Sequence, residues 1–176
     1  MALAQALPRR LAGWITADPD WDRIYTEQLP RVLNFFRYRM PADADVEDLT
    51  ARTFEKAWRA RHRYRHDLAG FSTWLLTIAR HVAIDALRAR QRHDPLDAAT
   101  AVPAAGRTPE QRAVHRSDAD RLSALLAQLD PRQRELIAMK YGADMTNRAI
   151  ADATGLSESN VGTILHRAVE TLRGRW

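Results

Sequence analysis

Apolar residues recur at helical spacing through most of this chain, and no run alternates apolar and polar side chains as a half-buried strand would. That periodicity restricts the chain to packed helices. It is clearest in the second half, where Leu122, Leu125, Leu126 and Leu129 line one helix face. Punctuation follows at once. Asp130-Pro131 reads as an N-cap with proline in the first helical position, and Gln133 is spaced for a capping box. The helix carries Leu136, Ile137 and Tyr141 and is expected to stop at Gly142. Thr146 caps a short helix, NRAIADA, Thr154-Gly155-Leu156 turns the chain, and Ser157 caps the last helix.

The first half has the same period with less regular breaks. A helix is expected from near Asp20, with Pro30 bending or dividing it. After Pro41 a second helix begins around Ala44–Asp45 and runs through Leu49, Thr53, Phe54, Ala57 and Trp58 on one stripe. HRYRHDLAG reads as a loop, and Ser72 is placed to cap a third helix. Its face comprises Leu75, Ile78, Ala79, Val82, Ala86 and Leu87, with Arg80, His81, Arg88 and Arg90 elsewhere on the cylinder. The stretch 94–109 has five alanines, three prolines and a glycine without a periodic face, so 93–116 reads as a linker. The expectation is an all-α chain of two small helical domains, 19–92 and 117–176, with an N-terminal extension 1–18.

Composition narrows the chemistry. A 45% hydrophobic and 28% charged chain can fold without being membrane-bound, and with no cysteine it has no disulfide or thiolate metal site. That suits the cytoplasm. The opening MALAQALPRRLAGWITA has Leu3, Leu7 and Leu11, but Pro8, Arg9 and Arg10 break any signal-peptide or membrane pattern. The net charge of +5 is divided unevenly: 14 Lys/Arg against 10 Asp/Glu in 19–92, and 8 against 8 in 117–176. Asp43, Asp45, Glu47 and Asp48 stand at a helix start, where its dipole favours anions. The tract Arg52–Arg92 that follows has 10 basic and 3 acidic residues. An acidic cluster beside a basic tract points to two partners, one of them a polyanion.

The short helix, glycine turn and capped helix of 146–173 form a helix-turn-helix pattern, with Ile150, Ala151, Leu156, Val161, Leu165, Ala168 and Leu172 as its core. Ser159, Asn160, Thr163 and Arg167 then point outward near Glu158 and the cap, a set that suits base edges in a major groove. Gly162 would permit close backbone approach. A compact bundle that never meets DNA fits the same pattern, and the neutral charge of this half favours a weak binder needing a second surface. In the first half, Arg61, Arg63 and Arg65 with Tyr64, Phe71 and Trp74 combine cations for phosphates and rings for unstacked bases. Trp74 fits a core role equally well. His62 and His66 lack a carboxylate set at ligand spacing, and no metal or cofactor is expected. There is no HExxH, phosphate loop or triad, so no enzyme is expected.

DVEDLTARTFEKAW (45–58), FSTWLLTIARHVAIDALRAR (71–90), LDPRQRELIAMKYG (129–142) and the helix-turn-helix, in this order, resemble bacterial sigma factors of the extracytoplasmic-function (ECF) type across about residues 20–174. No counterpart of a region 1.1, a region 3 domain or a long C-terminal extension is visible. The resemblance implies that the first domain is region 2, with Asp45, Glu47, Asp48, Leu49, Phe54 and Trp58 on the clamp helices of the RNA polymerase β′ subunit. It implies that Arg61, Arg63, Tyr64, Arg65, Phe71, Trp74, Arg80, His81, Arg88 and Arg90 meet the −10 element. The second domain would be region 4, docked on the β flap, with Ser157, Glu158, Ser159, Asn160, Thr163, His166 and Arg167 on the −35 element. Two duplex turns separate the elements, roughly 70 Å, which the linker can span. Partners implied are core RNA polymerase and promoter DNA, and an anti-sigma factor is common in the family. Ala51 and Arg52 stand where the family often has Gln-Glu, His81 where it often has Asn in a base pocket, and Ala149 where it often has Glu. The reading from another class is a free-standing helix-turn-helix regulator whose first domain senses a ligand or partner.

Overall fold

The computed structural model describes residues 21–93 and 109–176. The N-terminal extension 1–18 and most of the expected linker lie outside the described residues. Among those described, every regular element is helical, and no helix is long and apolar enough to cross a membrane. The first half contains α1 (Trp21–Arg39), α2 (Val46–Ala60), a single 3₁₀ turn (Arg61–Arg63) and α3 (Phe71–His93). The second contains α4 (Pro109–Ala127), α5 (Pro131–Ile137) running into a π-helical turn (Ala138–Gly142), α6 (Asn147–Thr154) and α7 (Glu158–Arg173).

Most helix starts sit where the capping residues put them. The Asp45 carboxylate accepts from the Asp48 amide at 2.8 Å, and Asp130 accepts from Arg132 and Gln133 at 2.9 Å. Thr146 accepts from Ala149 at 3.1 Å and Ser157 from Asn160 at 3.2 Å. Gly155, at φ 73°, makes the left-handed turn between α6 and α7 that a side chain would strain.

Three expectations are corrected. Pro30 does not divide α1: the proline is exposed and the carbonyl it fails to satisfy, that of Thr26, also belongs to an exposed residue. Ser72 is not the cap of α3. The helix begins at Phe71, the Trp74 amide bonds to the Gly70 carbonyl, and the Ser72 hydroxyl donates to Gln28 Oε1 at 2.9 Å. Helix α4 begins at Pro109, inside the segment read as linker. Tyr141 lies in the π turn and is 55% exposed.

The two halves share one core. Val32, Phe35, Phe36 and Met40 of the first half join Leu126, Leu136, Ile137, Met139 and Ala143 of the second in one buried cluster. The closest seam lies between α1 and the π turn, with α5 also on α1 and α6 on α3. Each half supplies an arginine to helix-end carbonyls of the other. Arg31 donates through Nε to the Ala143 carbonyl at 2.8 Å and through Nη2 to the Asp144 carbonyl at 2.9 Å. Arg134 donates to the carbonyls of Tyr38 and Met40 at the end of α1. Burial lowers the basicity of both Arg39 and Arg134 in this region, and the nearby Arg39 charge adds to the effect on Arg134. Glu135, 5% exposed, bridges the halves by accepting from Arg80 of α3 at 2.9 Å and from Arg132 of its own helix at 2.7 Å.

Candidate nucleic-acid and partner interfaces

Three surfaces emerge from these elements. At the start of α2, Asp45 is engaged as the cap, while Glu47 and Asp48 stay exposed on the first turn. Asp48 lies 3.7 Å from Arg52, an exposed pair worth only a few tenths of a kcal/mol, roughly 0.3 to 0.5. Leu49 and Phe54, expected at a partner contact, are 4% and 8% exposed and belong to the first half's core. Periodicity places them on the inner stripe, so neither can also face outward. The open acidic and aromatic groups here are Glu47, Asp48 and Trp58, the last 45% exposed.

The second surface is a train of rings joining the ends of α1, α2 and α3. Trp58 meets Trp21 edge-on at 5.1 Å, and Trp21 meets Phe71 at 5.9 Å. Phe71, Tyr64 and Trp74 then form a triangle with centroids 5.2 to 5.4 Å apart. Phe71, Tyr64 and Trp74 are all half-buried, so the two readings of Trp74 merge: one side packs on the core and the other remains open. The Tyr64 hydroxyl donates to the Ala69 carbonyl at 3.2 Å, and burial pushes its pKa up. Trp21 was not identified from the sequence. Its ring contacts are with residues distant in sequence, and only the fold brings it against Trp58 and Phe71.

The basic residues around these rings differ in availability. Arg63, His81 and Arg88 are exposed without a charged partner among the described residues. The Arg61 guanidinium sits 4.1 Å over the Trp58 ring and donates to the Trp58 carbonyl. Arg65 holds Asp67 through two bonds of 2.9 and 2.7 Å, which bring the Asp67 carboxyl down to about 2. Arg90 pairs with Asp43 at 2.7 Å and holds that carboxyl below its usual range. Arg80, expected to meet DNA, is instead 19% exposed and tied to Glu135 across the seam. Glu135 carries no local signature of this role in the sequence, because its ion-pair partner Arg80 is 55 residues away. Among the described residues no cluster of His, Asp and Glu is arranged to hold a metal.

The third surface is the outer face of α7. Val161, Leu165 and Ala168 are buried against α5 and α6, which turns Glu158, Ser159, Asn160, Thr163, His166 and Arg167 to solvent. Ser157 keeps its cap and Thr163 donates to the Ser159 carbonyl at 3.0 Å, so the first turns are rigid. Among the described residues the Arg167 guanidinium has no ion-pair partner. A Cβ on Gly162 would meet only the Asn147 side chain, at 3.7 Å. That is ordinary van der Waals contact, so packing between α6 and α7 does not require glycine there.

Residues 24–93 match the family model for Sigma-70 region 2, and residues 119–172 match that for Sigma-70, region 4. The ECF RNA polymerase sigma factor BldN of Streptomyces coelicolor is 26% identical over 152 residues, 85% of this chain and 58% of BldN, so the chain spans little more than half of that relative. The ECF RNA polymerase sigma factor ShbA of Streptomyces griseus is 33% identical over 142 residues, 77% of this chain and 74% of ShbA. The sigma factor RpoE of Bartonella quintana, solved in complex with the anti-sigma factor NepR, superposes with a TM-score of 0.67 at 22% identity. That match covers 89% of this chain and 96% of RpoE, and supports the fold.

Proposed function

The chain belongs to the ECF RNA polymerase sigma factors, and from that premise we propose that it binds core RNA polymerase and directs initiation at promoters carrying particular −10 and −35 elements. In this reading the first half is the polymerase-binding and −10 domain, and the second is the −35 domain. Glu47, Asp48 and Trp58 meet the β′ clamp helices. The rings Tyr64, Phe71 and Trp74 receive unstacked bases beside Arg61, Arg63, Arg65, His81, Arg88 and Arg90. Ser159, Asn160, Thr163 and Arg167 read base edges, with Ser157, Glu158 and His166 beside them, while the second half also docks on the β flap. The protein performs no chemistry of its own and acts in the cytoplasm, where polymerase and promoter are. An anti-sigma factor is a further partner class, as for RpoE of Bartonella quintana.

The observation that carries this reading is the coexistence of a free, rigid, polar α7 face with a separate acidic, aromatic and basic surface in the other half. A free-standing regulator needs the first but not the second. Run-off transcription with purified core polymerase separates them. Transcripts from a specific start that appear only when this chain is added support the sigma reading. Dependence on a second sigma factor would overturn it.

A further inference from the structure

A cavity of about 340 Å³ lies where the end of α1, the second half of α3, the end of α4 and the start of α5 come together. It is separate from the ring surface and from the outer face of α7, and promoter binding leaves most of its lining without a task. Three guanidiniums line it, those of Arg39, Arg88 and Arg134, each from a different helix. Ile84, Leu87 and Leu129 supply an apolar wall beside them. The volume is at the lower end of the range for ligand pockets, about 300–1,000 Å³, so it admits a small molecule and not a folded partner.

The cations around this space lack counter-charge. Among the described residues no carboxylate stands within ion-pair distance of Arg39, Arg88 or Arg134. Glu135 acts on Arg39 from farther away, but its single charge already serves Arg80 and Arg132. Asp130, between Leu129 and Pro131, is engaged in capping α5. Arg39 and Arg134 are half-buried, and burial depresses the basicity of both. Partly desolvated like charges raise the energy of the empty cavity, and an anion placed among them lowers it. Donors remain for such an anion. Arg134 gives Nε and Nη2 to the carbonyls ending α1, which fixes the plane of its guanidinium and leaves Nη1 without a bond among the described residues. The Arg39 side chain makes no hydrogen bond among them.

We propose that this cavity binds a small phosphate monoester with an apolar or aromatic body, its phosphate held by Arg39, Arg88 and Arg134 and its body laid on Ile84, Leu87 and Leu129. Guanidinium forks match phosphate oxygens two at a time, which a carboxylate offers only once. A monoester also carries between one and two negative charges at neutral pH, against one on each phosphate of a DNA backbone, and three guanidiniums around one space favour the higher charge. The apolar wall selects an organic phosphate over the inorganic ion, because covering it removes apolar surface from water.

Phenyl phosphate and inorganic phosphate are the probes, added to the full-length protein. Phenyl phosphate should bind saturably, shift the methyl NMR signals of Ile84, Leu87 and Leu129, and raise Tm. Inorganic phosphate should bind several-fold more weakly. Arg39→Met should weaken phenyl phosphate about tenfold, the loss of one charge-assisted contact. Arg37→Met, which removes an exposed charge from the same helix, should change it less than about twofold. Without a probe, Arg39→Met should melt no lower than the unsubstituted protein, since the charge it removes has no ion-pair partner. If Arg39→Met fails to fold, Ala127→Glu takes its place: a carboxylate at this exposed lining position would engage the arginines and abolish binding. Shifts that do not saturate, shifts confined to Tyr64, Phe71 and Trp74, or equal losses in Arg37→Met and Arg39→Met would each overturn the proposal. Inorganic phosphate binding as tightly as phenyl phosphate would overturn the organic body.

Discussion

The two helices assigned to DNA, α3 and α7, are prepared in opposite ways. Helix α7 presents Ser159, Asn160, Thr163 and Arg167 to solvent, with its cap satisfied, but sits in a half with no net charge. Helix α3 and the loop before it belong to the half with the positive surplus, yet Arg80, Arg90, Arg65 and Arg61 are each held by a neighbour. On the proposed reading, the base-reading side chains are open in one half, and many of the phosphate-seeking cations are engaged in the other. Because non-specific affinity comes mainly from Lys and Arg on phosphates, tight binding must wait until the first half's cations are released. Choice of sequence need not wait.

The largest effects are expected on α7, where nothing shields the residues. Asn160→Ala or Arg167→Ala should each weaken binding to a promoter with its −35 element by about 1–3 kcal/mol. Competition binding with the −35 element scrambled supplies the check. An equal loss on scrambled DNA would make α7 a mere phosphate contact and break the contrast with α3. Core polymerase binding should not change.

Next comes the tie across the seam. Glu135→Gln keeps the shape of the side chain but removes the charge that holds Arg80 and Arg132. Breaking a fully buried pair is worth about 3–5 kcal/mol; Arg80 can turn to water and the amide still accepts a bond, so about 1–2 kcal/mol of stability should be lost. Denaturant unfolding measures that loss. The released Arg80 should at the same time increase binding to −10 fork DNA. Lower stability with no gain in binding would mean that Arg80 is a packing residue in both states.

What the sequence disclosed follows the range of the interactions. Helix starts at Asp45, Asp130, Thr146 and Ser157 are set by bonds to amides two or three residues away, so the caps were legible. The α7 face was legible for the same reason, since its cap and its buried Val161, Leu165 and Ala168 orient the helix. The α3 face was legible only as a set of residue types. Which arginine remains open depends on Asp43, Asp67 and Glu135, and Glu135 reaches Arg80 only once α1 and the π turn have met. Gly142 shows the same limit. From the sequence it is a helix stop, and only the Asn34 backbone against it gives it a second role. Leu49 and Phe54 illustrate a conflict within the sequence reading itself, because a residue on the inner stripe of α2 is unavailable to a partner.

The open and held cations of α3 can also be compared directly. Arg88 has no charged partner among the described residues, whereas Arg90 must leave Asp43 before it can reach a phosphate. Arg88→Ala should reduce the slope of log affinity against log salt by about 1, and Arg90→Ala by less. Equal reductions would mean that the Asp43 pair dissolves without hindrance when DNA arrives.

The smallest effect should come from Arg65 and Asp67, where both side chains are about half exposed. The Asp67 carboxyl is lowered from 3.8 to about 2, first by the Arg65 hydrogen bonds, so its ionised form is the one the fold favours. A lowered carboxyl contributes above its unfolded value, and that contribution disappears as pH falls through the folded one. The pair is therefore fully formed at neutral pH, and its small contribution fades only on acidification from about 4 toward 2. Carbonyl NMR should show Asp67 titrating near 2, and Arg65→Gln should return the midpoint toward 3.8. A midpoint near 3.8 in the unsubstituted protein would show that Arg65 is already free. Arg65 would then join Arg63 as an open cation of the loop, and Arg61, Arg80 and Arg90 would remain the ones held by a neighbour.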